Sequence, residues 1–298
     1  MNQAPSTRAE RSEKSERRSA RFMMAPALLV LGAVALYPTL ASIWLSLQRL
    51  ILVFHERRFV GLENYAFLVR DARFWGALAH TAYFTLVSVS AELLLGLAFA
   101  LLLHARPPAR NLLRAAILVP WAMPTVVSAK MWALFFLGES GLSFFALRVF
   151  DVNWLGTPGY AMHAAIAVDV WKTTPFVTLL LLAGLVGIPQ TLYDAAALDG
   201  ASAVRTFFAV TLPLLRRILA VTVLLRALDA FRVFDVVYVL TDGGPANTTE
   251  TLSVYAYKTM MRAGDFGYGS TLATATFLCV LALGGVYFMT AGSEEATR

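Results

Sequence analysis

Eight charged residues lie in runs otherwise apolar enough to cross a membrane, and their spacing limits the chemistry open to them. Arg226, Asp229, Arg232 and Asp235 recur at intervals of three. Residues three apart are neighbours on a helix, so the alternating signs can pair along the run. A rotation of about 300° per step makes the stripe wind and puts Arg226 and Asp235 on nearly opposite sides. Asp169 and Lys172 form a similar pair three apart, while Glu92 and Lys130 stand alone. A charge at mid-membrane costs roughly 2.5–3.5 kcal/mol on insertion scales, so four facing lipid would cost on the order of 10 kcal/mol. They must therefore face protein or water. Glu92 is expected to be paired within the bundle. For Arg232 and Asp235, ties to other helices and a place facing a solute are both open.

Covalent chemistry finds no support. The loop that cradles nucleotide phosphates needs Gly directly before Lys, and the four lysines follow Glu13, Ala129, Trp171 and Tyr257. No His-Glu-x-x-His, Gly-x-Ser-x-Gly or Cys-x-x-Cys occurs. His55, His80, His104 and His163 are scattered over different elements and read as helix-end or packing residues. The single Cys279 lies in an apolar run, so no disulfide forms within the chain.

The elements that must hold these charges are membrane helices. With 58% apolar residues, 15% charged residues and a mean hydropathy of +0.64, the 298-residue chain has too little polar surface to cover a soluble core. That composition excludes a disordered chain, a disulfide scaffold and most soluble enzymes. Runs near 20 apolar residues predict six spans, at 22–47, 77–103, 115–137, 160–186, 218–240 and 271–290. Pro26, Pro38, Pro120, Pro124 and Pro175 promise kinks. No alternating pattern of a membrane barrel appears, so the expected class is all-α, a polytopic bundle of six transmembrane helices. The first span, at 22–47, is too long for a cleavable signal peptide.

Residues 1–21 read as a flexible tail carrying Arg8, Arg11, Lys14, Arg17, Arg18 and Arg21, which argues for a cytoplasmic N-terminus and not for nucleic-acid binding. Residues 48–76 then form an external loop, 77–290 the main membrane domain and 291–298 a cytoplasmic tail. Thirteen Lys and Arg fall in the inside segments against eight outside, which agrees with that orientation.

The inside segment 187–217, between the fourth and fifth spans, is too long for a hairpin and too apolar for a solvated linker. Thr191 starts a helix, with Asp194 three residues on as a weak capping box. Gly200 suits the left-handed end of that helix. Ser202 caps a second short helix carrying Phe207 and Phe208, which Pro213 closes. Such a pair presents either a compact knob to another protein or two helices resting on lipid headgroups.

The run Tyr193-Asp194-Ala195-Ala196-Ala197-Leu198-Asp199-Gly200-Ala201, followed by Thr211-Leu212-Pro213, closely resembles the signature loop of binding-protein-dependent ABC importer permeases. Asp194 stands where that family has Glu. Phe59 to Tyr65, Val119 to Pro124, Trp171 to Phe176 and Leu240 to Pro245 resemble the carbohydrate branch, and the last run resembles its maltose-type "F" and glycerol-phosphate "A" subunits. The resemblance implies that Asp194, Ala195, Ala196, Asp199, Gly200 and Pro213 belong to a loop that docks into a separate cytoplasmic ATPase. It implies a second permease subunit, two copies of that ATPase holding the ATP and Mg²⁺, and an extracytoplasmic sugar-binding protein, in a bacterial cell membrane. This chain itself would need no cofactor or metal and would not be an enzyme.

A sugar has many hydroxyls and no charge, so its site should offer charged hydrogen-bond partners and aromatic faces. Asp169, Lys172, Thr173, Arg226 and Asp229 can supply the first, Trp121 and Phe176 the second. Together with Thr125 and Ala230, these match positions that line the sugar in maltose-type permeases, although most side chains differ there. The Arg-Ala-Leu-Asp-Ala-Phe-Arg run from Arg226 resembles trehalose importers, which implies an α-linked disaccharide such as trehalose or maltose. A glycerol-phosphate substrate is the competitor, which Asp169 and Asp229 would repel. An ion-coupled carrier using Glu92, Asp169 and Asp229 as a relay is the alternative of another class.

Overall fold

The computed structural model describes residues 23–27, 29–105, 107–136 and 153–295. The expected tail 1–21 lies outside the described residues, as do 296–298 and the ends of two expected spans at Phe22 and Leu137. Helix α1, Met23–Ser46, contains a π turn at Gly32–Leu36 just ahead of Pro38. Strands β1, Gln48–Ile51, and β2, Glu56–Phe59, pair antiparallel with Gln48 opposite Phe59. Helices α2, Glu63–Arg70, and α3, Ala72–His104, follow. The segment expected as a loop at 48–76 is therefore mostly regular structure. Asn64 holds its start by donating from Nδ2 to the carbonyls of Ser46 and Gln48 at 2.8 and 2.9 Å.

The expected third span is two helices, α4, Arg110–Ala122, and α5, Thr125–Phe136, meeting at 97°. The cause is local: Met123 precedes Pro124, which forces it to an extended ψ of 140° and ends the helix. Pro124 thus makes a corner, not the kink that was expected. Helix α6, Tyr160–Val186, runs unbroken through Pro175. Trp132 and Trp154 pack, partly buried, against the core cluster around α6.

Helix α7 spans Gln190–Leu198 and α8 spans Ala203–Ala230. The capping box is not formed: α7 starts one residue before Thr191, after Pro189, with no side-chain cap. Asp194 instead accepts from Gln190 Nε2 at 3.4 Å, a helix-surface contact. Ser202 does cap α8, its hydroxyl accepting from the Arg205 N–H at 3.3 Å. Pro213 does not close a short second helix. A π turn at Phe207–Thr211 directly precedes Pro213 and makes room for its ring within the continuing helix. One continuous rod therefore runs from the 187–202 loop into the bundle.

The fifth span was expected to continue to Leu240, yet α8 stops at Ala230 and a separate α9 begins at Asp235. Between them Phe231 is buried in one core cluster with Leu252 and Tyr268, and Val233 in another with Val168 and Val237, so the connecting turn is held on both sides. Arg232 and Asp235 are thus off the helix that carries Arg226 and Asp229. Helices α9, Asp235–Leu240, and α10, Leu252–Tyr257, lead to α11, Phe266–Glu295. Among the described residues, five helices are long and apolar enough to cross a membrane, or six if the bent α4–α5 pair is one span.

The core centres on α3 against α6. Gly96 lets them approach: a Cβ there would meet Val177 Cγ1 at 2.5 Å. Phe84 and Val168 fill the crossing nearer the hairpin, while Leu103, Leu181, Leu185 and Leu215 fill the end nearer α7.

Candidate functional site

Where α4 turns into α5, beside the middle of α6 and the last turn of α8, the bundle leaves a half-open cavity of about 480 Å³. The walls of a corner, a long helix and a broken helix cannot pack flush, which leaves the space. Trp121, Thr125, Asp169, Lys172, Thr173, Phe176, Arg226, Asp229 and Ala230 all line it. So the nine residues proposed from sequence meet around one volume, drawn from four helices. Trp121 and Phe176 form an aromatic wall, with ring centroids 6.1 Å apart.

The break after Ala230 adds Arg232, Val233, Phe234, Asp235 and Val236 to the lining. Of the two readings open for Arg232 and Asp235, ties to other helices do not appear: neither makes an ion pair among the described residues. Arg232 donates from Nε to the Leu228 carbonyl at 3.0 Å, and both side chains are exposed. No pattern in the sequence announces this break, because 231–234 holds neither Gly nor Pro.

Beneath the cavity lies a charged cluster that fixes its polar wall. Glu92, fully buried on α3, accepts from Arg226 Nε at 2.6 Å and from Nη2 at 2.9 Å, a two-pronged pair. The same Arg226 donates from Nη2 to Asp169 Oδ2 at 3.3 Å and from Nη1 to Asp229. Thr173 Oγ1 lies 2.7 Å from Glu92 Oε1 and 2.6 Å from the Asp169 carbonyl, its single proton shared between the two acceptors. The expected pair of Asp169 with Lys172 is not made: α8 brings Arg226 across, and its fork takes the carboxylate. Lys172, only 9% exposed, lines the cavity with no hydrogen bond or ion pair among the described residues. Lys130 is exposed on α5, away from this lining.

Two consequences follow for the chemistry. Three carboxylates surround one guanidinium, so acceptor lone pairs are left over, and the Asp229 side chain is 65% exposed at the rim. A buried ammonium without a partner supplies the complementary donor. A neutral solute with many hydroxyls, able to donate and accept, satisfies both at once. No group of three or more metal-ligating side chains occurs among the described residues.

The other sequence motif lies at the far end of α8. Asp194, Ala195, Asp199, Gly200 and Pro213 are exposed there, and Ala196 is half-buried. Gly200 adopts φ +72°. That left-handed turn lets the Ala201 N–H reach the Ala196 carbonyl at 2.9 Å and the Gly200 N–H reach Ala197 at 3.1 Å, closing α7. Leu198 is 90% exposed, next to exposed Val204 and Phe208. Tyr193 reaches back, its hydroxyl 3.3 Å from that of Thr211 on α8 and its ring 6.4 Å from that of His104 on α3.

Comparison with known proteins follows the same outline. Residues 92–291 match the family described as binding-protein-dependent transport system inner membrane component. The chain is 46% identical over 269 residues to the trehalose/maltose transport system permease protein MalF of Thermococcus litoralis, covering 89% of this chain and 91% of that one. It is 38% identical to the trehalose transport system permease protein SugA of Mycobacterium tuberculosis, covering 95% and 91%. Among solved structures, a chain of a bacterial alginate ABC transporter in complex with alginate pentasaccharide-bound periplasmic protein shares the fold. The TM-score is 0.79 at 18% identity, over 94% of this chain and 96% of that one.

Proposed function

This chain belongs to the family of binding-protein-dependent inner membrane transport components, as a multi-pass permease subunit of an ABC sugar importer, and from that premise we propose its substrate, partners and working parts. The substrate is an α-linked disaccharide of the trehalose or maltose type, held in the cavity by Trp121, Thr125, Asp169, Lys172, Thr173, Phe176, Arg226, Asp229 and Ala230. The observation that carries this reading is the polar wall itself. It joins spare carboxylate acceptors, an unpaired buried ammonium and an aromatic face around about 480 Å³, within the usual range for small-molecule sites. The relatives' names support the same sugar class. A phosphorylated solute fits less well, since Asp169 and Asp229 repel it.

The exposed loop from Asp194 to Gly200 docks on a cytoplasmic ATPase, which holds the nucleotide and Mg²⁺. Its bare Leu198, Val204 and Phe208 support that reading, because an apolar knob in water wants a partner. Two ATPases, a second permease subunit and an external sugar-binding protein complete the assembly, with both termini in the cytoplasm of a bacterial cell. Because α8 is one rod from Ala203 to Ala230, displacement of the knob moves Arg226 and Asp229 directly. ATP then biases a bundle with two arrangements of its cavity.

The test is trehalose uptake into vesicles bearing the full complex and its loaded binding protein. Uptake should require ATP and should be lost when Gly200→Trp blocks docking. Uphill uptake by this chain alone, driven by a proton gradient, would establish the ion-coupled alternative and defeat the proposal.

A further inference from the structure

Glu92 takes no part in lining the cavity, yet it holds two groups that do. Its Oε1 accepts from both Thr173 Oγ1 and Arg226 Nη2, and its Oε2 accepts from Arg226 Nε. These three bonds join α3 to α6 and α8, the two helices that carry most of the polar lining. Arg226 is long and flexible, and at 2% exposure it has almost no water to orient it. Without Glu92 its fork would turn wholly to Asp169 and Asp229, consuming the acceptors that otherwise face the cavity. Thr173 would keep only its bond to the Asp169 carbonyl.

We propose that Glu92 is a positioning residue for substrate specificity: by holding one edge of Arg226 and the Thr173 hydroxyl, it leaves spare oxygens of Asp169 and Asp229 to meet sugar hydroxyls beside Lys172. The inference rests on the sugar reading of the cavity. Arg226 has five N–H donors, and four are spent inside the protein, two of them on Glu92. The guanidinium thus serves as an internal strut more than as a ligand, and the carboxylates beside it keep oxygens in reserve. A geometry of this kind discriminates strongly against solutes that lack a matching hydroxyl, because buried groups are then left unpaired.

The test separates positioning from mere stability by reading trehalose moved per ATP hydrolysed in the reconstituted complex. A purely structural role lowers both quantities together and leaves their ratio alone. Glu92→Gln should lower the ratio about tenfold, the loss of one charge-assisted bond. Thr173→Val should lower it less, and the two together no further than Glu92→Gln alone, since they act on one path. Should Glu92→Gln fail to assemble, Glu92→Asp keeps the buried charge that Arg226 needs while drawing its oxygens back from Arg226 and Thr173. That variant should assemble with a lowered ratio. An unchanged ratio in either assembled variant, or additive losses with Thr173→Val, overturns the inference. A wild-type complex that moves no trehalose sinks the sugar reading beneath it, a failure visible before any variant is made.

Discussion

Two buried glutamates each grip an arginine by both oxygens, and they differ in what surrounds the pair. Glu250, whose side chain is 1% exposed, accepts from Arg73 Nε at 2.6 Å and Nη2 at 2.8 Å, and from Lys258 Nζ at 3.1 Å. Two cations meet one carboxylate there, and Arg73 also stacks over Tyr255, 4.4 Å from the ring centroid. At Glu92 the ratio is inverted: one cation meets three carboxylates. The first arrangement is saturated and staples α3 to the segment between α9 and α10. The second is unsaturated and borders an empty volume. Saturation marks a strut, and leftover acceptors beside a cavity mark a place for a ligand.

Removing the central cation should separate the two most sharply. Arg226→Met leaves Glu92 and Asp169 buried without a cation, at a cost of about 3–5 kcal/mol. Thermal unfolding of the purified complex should show the loss, along with abolished trehalose uptake. A melting temperature within error of wild type would mean that water or another cation already reaches Glu92, and the contrast drawn above would collapse.

Glu250→Gln should cost less, about 2 kcal/mol, because Arg73 is 44% exposed and can hydrate. Transport per ATP should stay at the wild-type value, since nothing at Glu250 lines the cavity. A lowered ratio in this variant would show that the strut also steers the solute, and the two regions would no longer be distinct in kind.

Much of the inner cluster can be read from local spacing. Arg226 and Asp229 sit three apart and do pair, because both lie on one unbroken stretch of α8. Asp169 and Lys172 have the same spacing and do not, because a residue 57 positions away competes for the carboxylate. Local rules cannot weigh such a competitor. The same limit hid Glu250, which stands outside every apolar run and whose partner Arg73 is 177 positions distant. Long helices announce themselves through composition, and the corner at Pro124 through one residue's backbone restriction. The break at 231–234 has no Gly or Pro to mark it, and its Phe231 and Val233 are buried in two different clusters that only the tertiary structure assembles. Gly200 was legible because a single backbone angle decides its role.

The smallest effect belongs to Asp71, which caps α3 beside the saturated strut. Burial pushes its carboxyl up, but hydrogen bonds from Tyr268 and Tyr255, with the backbone N–H groups of Arg73 and Phe74, outweigh that and hold it below the usual carboxylate value. The two hydroxyls lie 2.6 and 2.7 Å from Oδ2. Burial, then the carboxylate, in turn push the Tyr255 phenol above its ordinary value. A carboxylate depressed in the folded state stabilises fully above its unfolded value near 4, and the gain is lost as pH falls through the lower folded value. Asp71→Asn keeps the cap and an acceptor while removing the charge, so it should cost about 1 kcal/mol at neutral pH. The gap between variant and wild type in thermal unfolding should narrow as pH falls below about 4 and close only below the depressed folded value of Asp71, where its carboxyl is neutral too. A gap that persists there would assign the effect to shape and not to charge. Asp71 would then hold the start of α3 without any electrostatic share of its own, unlike the carboxylates around Arg226.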